Sequence, residues 1–286
     1  METGIKTSLI VILIVFGIFF GCAGTSGKSI KCFENTREAE VNNIPLKHTN
    51  SAEIEDIFNA TCFEYEDSIT EIILTGSSDK KCFFKVEYYE YEPDDATLLF
   101  TENTLSYKTK SGKPVLIASI DGTIPNDIDL LLSTSSGDII VSGMMNPDKL
   151  DFRSSSGDII LKDTQYCNYY HVRTSNGDII LKNVHHSREL NLASANGDMI
   201  LEQVTDFGNI QLAIANGDFI LKESDGETLK GSFANGDVIL VGSIINNLIA
   251  SFATGDIIKD RTSVINNQVI TKAGKIIQIE EIIDAH

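Results

Sequence analysis

The sequence predicts an all-β fold: a single-stranded parallel β-helix, or β-solenoid, with coils of about 20 residues and a small β-rich N-terminal cap. Three observations predict it. The tetrapeptide Gly-Asp-x-Ile recurs seven times. Its glycines are spaced by 20, 20, 20, 20, 19 and 19 residues. Apolar residues alternate with polar or small ones before and after each glycine, so each repeat contains two strands that bury one face.

The repeated Gly-Asp pair predicts a turn between the two strands of each coil. Asn, Ser or Thr precedes each glycine, and these residues suit a sharp change of direction. The predicted turn ladder consists of Gly137, Asp138, Gly157, Asp158, Gly177, Asp178, Gly197, Asp198, Gly217, Asp218, Gly236, Asp237, Gly255 and Asp256. We expect each aspartate to accept hydrogen bonds from backbone N–H groups of its own turn, and a row of weak calcium sites is the alternative.

The strand that follows each turn has isoleucine at an outward position. If the second and fourth residues after the glycine face the core, the third faces outward, because side chains alternate along a strand. That position holds Ile140, Ile160, Ile180, Ile200, Ile220, Ile239 and Ile258. A row of this kind predicts an interface with another molecule. The alternative is burial, by a bend of the strand or under the N-terminal cap.

The repeat sets the expected domain boundaries. We place a lipoprotein-type signal or anchor at 1–22, a linker and β-rich cap region at 23–104, and the solenoid at 105–286. Leu105, Tyr107 and Thr109 are expected to begin a degenerate first coil, and the residues on either side of Gly274 the last. Asn-Gly between two strands also favours a β-hairpin, so an antiparallel meander is the competing arrangement. The constant step between equivalent residues favours stacked coils.

The N-terminus predicts export from the cytoplasm. Lys6 precedes twelve residues, Leu9 to Phe20, that have no polar side chain, which is typical of a secretory signal. The run ends at Phe19-Phe20-Gly21-Cys22, which resembles a bacterial lipobox and makes Cys22 the expected lipidation site. An uncleaved N-terminal anchor is the alternative. In either case we expect an extracytoplasmic, membrane-anchored chain at the cell surface or in the periplasm.

Cysteines are crowded before residue 90. Cys62 and Cys82 both border strand-like segments, so we expect them to form a disulfide in an oxidising compartment, with Cys32 as an alternative partner. No Cys-x-x-Cys spacing is present.

Composition and motifs argue against several functions. Acidic residues outnumber basic ones 41 to 23, for a net charge of -18, which excludes a nucleic-acid partner on electrostatic grounds. Regular short coils provide no long loops to form a catalytic cleft. His185 and His186 would point to opposite sides of an extended chain. We therefore expect no catalytic residue, no cofactor and no metal.

The segment "TSNGDIIL" and its variants resemble the putative-adhesin family of prokaryotic surface proteins. The resemblance covers about 180 residues and implies a right-handed single-stranded β-helix at a cell surface. We therefore expect a membrane-tethered, non-catalytic adhesin-like binding or scaffold protein that acts through its solenoid surface. Its partner would be the membrane, through the N-terminal lipid or anchor, and a protein or polysaccharide ligand. A self-assembling surface element and, less strongly supported, a carbohydrate-active β-helix enzyme are the alternatives.

Overall fold

The computed structural model describes residues 30–32, 39–41, 44–46, 48–67, 69–101, 104–271 and 273–279. All regular structure in these ranges is β-strand. The strands are β1 (Ile30–Cys32), β2 (Ala39–Val41), β3 (Ile44–Leu46), β4 (His48–Ile57), β5 (Cys62–Asp67), β6 (Glu71–Ser77), β7 (Lys81–Glu90), β8 (Ala96–Thr101), β9 (Thr104–Thr109), β10 (Leu116–Pro125), β11 (Asp129–Thr134), β12 (Ile139–Ser142), β13 (Lys149–Ser154), β14 (Ile159–Gln165), β15 (Tyr169–Asn176), β16 (Ile179–Asn196), β17 (Met199–Asn216), β18 (Phe219–Lys222), β19 (Asp225–Asn235), β20 (Val238–Val241), β21 (Ile244–Thr254), β22 (Ile257–Asp260), β23 (Ser263–Thr271) and β24 (Ile276–Ile279).

The strands stack in two main parallel sheets, which confirms the β-solenoid. Side A runs through β5, β11, β13, β15, β16, β17, β19, β21 and β23. Side B runs through β6, β12, β14, β16, β17, β18, β20, β22 and β24. The long strands β16 and β17 pass from side B of one coil to side A of the next. Because each strand pairs in parallel with its equivalent in the next coil, the antiparallel meander is wrong.

Corner residues in the left-handed region turn the chain after side B. Asp163, Asn183 and Gln203 have φ values of 52, 53 and 56° and occupy equivalent positions of successive coils. Asparagine and aspartate adopt this region more readily than other residues with a side chain. A second such residue follows three positions later, as at His186, whose φ is 55°. The two bends return the chain to side A.

The core lies between the two sides, and the expected inward residues fill it. Ile159 and Leu161 on side B and Leu150 and Phe152 on side A are fully buried. Glycines make room for rings where one coil carries a phenylalanine. A Cβ atom on Gly226 would lie 2.4 Å from the ring of Phe207 in the coil below. Large and small residues therefore alternate along an inward column, as close packing requires.

The first coil begins earlier than the sequence indicates. β5 pairs in parallel with β11, and β6 with β12, so the parallel stack extends back to Cys62. The prediction that Leu105, Tyr107 and Thr109 begin the first coil is wrong, because β9 pairs antiparallel with β8 as a separate hairpin. The expected last coil is correct: β23 and β24 flank Gly274 and pair with β21 and β22.

A β-rich cap closes the N-terminal end, as the fold prediction states. β10 pairs in parallel with β6 and antiparallel with β7, and β7 pairs antiparallel with β4. Side B is thus prolonged by three strands. β7 is therefore paired on both sides. Phe58, Phe63, Phe84 and Phe100 pack together beneath the cap, with ring centroids 5.4–6.4 Å apart.

Candidate binding surface

A row of isoleucines runs along the outer face of side B. We define the isoleucine column as Ile73, Ile140, Ile160, Ile180, Ile200, Ile220, Ile239, Ile258 and Ile277, which pair in register through β6, β12, β14, β16, β17, β18, β20, β22 and β24. The seven isoleucines expected from the repeat all belong to it. Adjacent strands lie about 4.8 Å apart, so eight steps give a column about 38 Å long.

The column faces outward and is half-buried. Its members alternate with fully buried neighbours: Ile179 and Leu181 on either side of Ile180 have no exposed surface. Ile73 and the seven repeat isoleucines are partly exposed, and Ile277 in the last coil is 40% exposed. Part of this shielding comes from the isoleucines immediately above and below, because stacked β-branched side chains pack against one another. The alternative, a bend of the strand that buries the column, is not seen in the described strands, because the outward isoleucines keep partial exposure.

Ile73 and Ile277 extend the column at its two ends. Ile73 lies in the segment "TEIIL", where Thr70 and Glu71 occupy the positions of the repeated glycine and aspartate. A Cβ atom on Gly137 would lie 1.9 Å from the carbonyl oxygen of Thr70, so the two residues stack directly. The likeness of Thr-Glu-Ile-Ile-Leu to Gly-Asp-Ile-Ile-Leu was the signal that would have identified the first coil.

Charged side chains border the column on one side. Lys182 and Lys222 each contact the carboxylate of Glu202 between them, at 2.9 and 2.8 Å. Hydrogen bonds from Lys222 and Lys182 lower the pKa of Glu202 to about 2. The three residues occupy equivalent positions of successive coils, two residues after the isoleucines. The apolar strip therefore has a defined polar edge.

The Gly-Asp ladder borders the column on the other side. The Oδ1 atom of Asp138 accepts a hydrogen bond from the backbone N–H of Asp158 at 2.8 Å, and the same bond joins each later aspartate to the next coil. The prediction that each carboxylate binds its own turn is wrong, because these bonds run between coils. The glycines lie directly above one another: a Cβ atom on Gly157 would be 2.1 Å from the carbonyl oxygen of Gly137. The ladder joins one coil to the next.

Metal-binding geometry is not found among the residues that the structure describes. They contain no group of three or more His, Cys, Asp or Glu side chains that could hold a metal ion. Nδ1 of His185 lies 2.6 Å from the Thr205 hydroxyl oxygen, whereas the ring of His186 contacts the Asp206 carboxylate. The expected calcium alternative gains no support from the aspartates, since one oxygen of each is already used by a backbone N–H.

The expected Cys62–Cys82 disulfide is absent, and both residues are free thiols. Cys82 lies in the core beside Phe84, whereas Cys62 precedes the inward Phe63 and therefore points to the outer face. The Sγ atom of Cys82 instead lies 3.6 Å from the carbonyl oxygen of Asp56 on the paired strand β4. Burial raises the pKa of both thiols, which disfavours the reactive thiolate.

The N-terminal predictions fall outside the described residues. Cys22, and with it the expected lipidation site, belongs to the segment 1–29. Within the described parts of the chain, no helix has the length and hydropathy of a membrane span.

Comparisons with known proteins identify a family and several solved structures to which the chain is similar. The family model described as Toastrack DUF4097 matches residues 70–257. A "putative adhesin" from Bacteroides fragilis NCTC 9343 shares 17% identity over 80% of this chain and 97% of its own, with a TM-score of 0.47. A "putative lipid binding protein" from Parabacteroides distasonis ATCC 8503 shares 16% identity over 81% and 97% of the two chains, with a TM-score of 0.48. A "putative adhesin" from Parabacteroides merdae ATCC 43184 shares 13% identity over 81% and 96%, with a TM-score of 0.46. No curated protein has a significantly similar sequence.

Proposed function

Because this chain belongs to the Toastrack DUF4097 family, whose matched residues 70–257 cover most of the solenoid, we propose that it acts through the solenoid's outer surface as a non-catalytic, adhesin-like binding and scaffold protein. The N-terminal sequence supports a tether: an apolar run ends at Cys22, so the chain would be anchored to a membrane and exposed outside the cytoplasm. The single observation that carries the proposal is the isoleucine column.

The partner of the column is a second copy of the same chain. Its members repeat every coil, at the inter-strand spacing of about 4.8 Å. A surface with a different period would meet only a few of the nine isoleucines in register. A second solenoid presents the same period, so the side chains of two columns can interdigitate along their whole length, as in packed β-sheets.

The size of the strip indicates reversible association. The side B strands that carry most of the column have four residues, as in Phe219–Lys222, which span about 13 Å at the usual rise per residue. Together with the column length of about 38 Å, this gives roughly 500 Å² of projected sheet per partner, which is below the ~800 Å² of a standard stable interface. Two tethered chains on one membrane, or on facing membranes, would gain from the raised local concentration.

Three matched proteins test the proposal: wild type, Ile180→Thr/Ile200→Thr/Ile220→Thr and Ile180→Val/Ile200→Val/Ile220→Val. Threonine and valine have the same shape and both suit strands, so they differ only in the polarity of one group. The full chain, purified in a neutral detergent, is examined by sedimentation velocity over a range of protein concentrations. Far-UV circular dichroism checks that each variant is folded.

We expect wild type and the valine variant to associate as concentration rises. The threonine variant should remain folded and associate at least about tenfold more weakly. Each interface would contain six altered side chains, three from each copy, and a loss of 1.4 kcal/mol in binding free energy corresponds to a factor of ten. If the threonine variant associates as strongly as the valine variant, the column is not the interface. If all three stay monomeric at every concentration, the second copy is not the partner.

A further inference from the structure

A cluster of basic side chains lies on the outer face of side A, away from the isoleucine column. β13 carries Lys149, Asp151 and Arg153, and β15 carries His171 and Arg173. The register pairs Asp151 with His171 and Arg153 with Arg173. These residues point outward, because Leu150, Phe152 and Val172 between them are fully buried. The chain as a whole has a net charge of -18, so a local excess of positive charge is unusual on this surface.

Asp151 neutralises only part of this cluster. Asp151 is 5% exposed, and its carboxylate accepts hydrogen bonds from Arg153 Nε at 2.9 Å and Nη2 at 3.1 Å, while Lys149 Nζ lies 2.9 Å away. Burial alone would raise the pKa of Asp151, but the bonds from Arg153 and Lys149 outweigh it and lower that pKa. Asp151 is therefore ionised at neutral pH. Asp151 is the carboxylate that forms ion pairs with Lys149 and Arg153, and the further acids Asp129 and Glu189 lie at the borders of the cluster.

Arg173 makes no hydrogen bond or ion pair with any residue that the structure describes. It lies directly beside Arg153 on the neighbouring strand, so the two like charges repel. Folding does not require this pair, since the adjacent strands carry the neutral Ser133 and Ala193 in the same column. An oxyanion held between the two guanidinium groups would offset the repulsion, and planar guanidinium groups suit bidentate contacts with such ions.

The surroundings of the cluster are flat. Beyond Arg173, the outward positions of the next coils hold the small residues Ala193, Ala195, Ala213 and Ala215. Tyr169 lies at the other border, with the guanidinium carbon of Arg188 6.0 Å from its ring centre. The nearest acids, Asp129 and Glu189, already accept hydrogen bonds from backbone N–H groups and from side-chain amides respectively. A shallow shelf with a charged end suits a chain molecule that lies across the coils rather than a small enclosed ligand.

We propose that Arg153 and Arg173, with Lys149 and His171 beside them, bind the carboxylate or sulfate groups of an acidic polysaccharide on the outer face of side A. This site is separate from the isoleucine column, so it goes beyond the proposed function and does not depend on self-association. Lys149 and Arg153 are held in place by Asp151, and Arg173 is the group that remains available to the ligand.

The test measures binding of the full chain, in neutral detergent, to immobilised polygalacturonate, dextran sulfate and neutral dextran at several salt concentrations. Arg173→Gln removes the available guanidinium and leaves Asp151 with both of its partners. Lys230→Gln is the matched control: it removes one positive charge from an exposed position on the same face, in the column of Asp151 and His171. Arg173→Lys keeps the charge and loses the bidentate geometry.

Wild type should bind at least one of the two acidic polymers and not neutral dextran. Arg173→Gln should weaken that binding about tenfold, the factor that 1.4 kcal/mol represents, with Arg173→Lys in between and Lys230→Gln within about twofold of wild type. Equal losses in Arg173→Gln and Lys230→Gln, or no binding to either polymer, would overturn the site. In the same assay, preferential binding to detergent micelles that contain phosphatidylglycerol over both polymers would assign the oxyanion to a lipid headgroup and overturn the polysaccharide. The threonine variant of the isoleucine column should bind the polymers as wild type does, which separates this proposal from the proposed function.

Discussion

Substitution of Asp198 separates the two roles that a ladder aspartate has in this solenoid. Its Oδ1 atom accepts the backbone N–H of Asp218 at 2.8 Å, and its own N–H donates to Asp178 at the same distance. Its carboxylate also repels those of Asp178 and Asp218, the neighbouring aspartates of the ladder. Asp198→Asn keeps the acceptor and removes the charge, whereas Asp198→Ala removes both.

The two roles have comparable magnitudes. A partly buried N–H that loses its acceptor costs about 1–3 kcal/mol. Unit charges about 4.8 Å apart repel by about 0.9 kcal/mol at the dielectric constant of water, so loss of one charge relieves about 1.7 kcal/mol from two neighbours at that dielectric constant. A hydrogen bond to a neutral acceptor is about 1 kcal/mol weaker than one to a carboxylate, which offsets much of that relief. We therefore expect Asp198→Asn to lie within about 1 kcal/mol of wild type, and Asp198→Ala to be about 1–3 kcal/mol less stable than Asp198→Asn.

Thermal unfolding followed by far-UV circular dichroism measures the difference. For a domain of this size, 1 kcal/mol corresponds to about 2–4 °C in Tm, so the alanine variant should melt about 2–12 °C below the asparagine variant. Hydrogen exchange of the Asp218 amide should be faster in Asp198→Ala and unchanged in Asp198→Asn. If the two variants unfold at the same temperature, the hydrogen bond between coils contributes nothing and the charge alone matters. If Asp198→Asn is less stable than wild type by much more than about 1 kcal/mol, the ladder requires negative charge.

Three further changes probe the turn, the core and the polar edge. Gly217→Ala places a Cβ atom 2.2 Å from the carbonyl oxygen of Gly197, at a φ of 145°, so we expect a loss of more than about 2 kcal/mol in urea unfolding; a loss below 1 kcal/mol would contradict the close stacking. Lys259 is 5% exposed in the inward column after Leu240, and burial lowers its pKa below the usual 10.5, so the stability of the wild type should rise with pH up to about that value. Lys259→Leu should be more stable than wild type by about 1–3 kcal/mol at neutral pH, and by less at higher pH. A gain in stability that does not change with pH would refute the buried amine. The contribution of Glu202 to stability should be fully present above pH 4.5 and lost as pH falls toward 2. NMR titration of the Glu202 carboxyl group should give a midpoint near 2. An unshifted midpoint would show that the contacts with Lys182 and Lys222 do not persist in solution.

The sequence predicts the parts of this fold in which one residue type serves the same purpose in every coil. Glycine recurs because adjacent coils approach too closely for a Cβ atom, and the alternation around it predicts which residues enter the core. Both patterns are local, so they are readable without knowledge of the partner strand.

The features that depend on contacts between strands of different coils were not predictable in the same way. Thr70-Glu71 replaces Gly-Asp in the first coil, and the long insertion that contains β7 to β10 separates that coil from the second, so the constant step is lost. The acceptor role of Asp138 toward the next coil, rather than its own turn, also depends on how the coils stack. The basic cluster on side A arises from two strands twenty residues apart, and neither strand alone has a basic motif.

The outward columns distinguish what folding requires from what it leaves open. Outward positions of side A vary freely between coils: Arg153 and Arg173 are followed in the same column by Ala193, Ala213 and Ser232. The fold therefore tolerates charged, small and polar residues on an outer face. The equivalent outer column of side B holds isoleucine in nine successive strands, although threonine or valine would suit a strand as well. Stacked isoleucines shield one another, but side A is equally regular without such shielding. The fold does not restrict the outward residues of side A to one type. The isoleucines on the outer face of side B are therefore best explained by a surface that side B contacts. The threonine and valine variants of the column measure that contact directly.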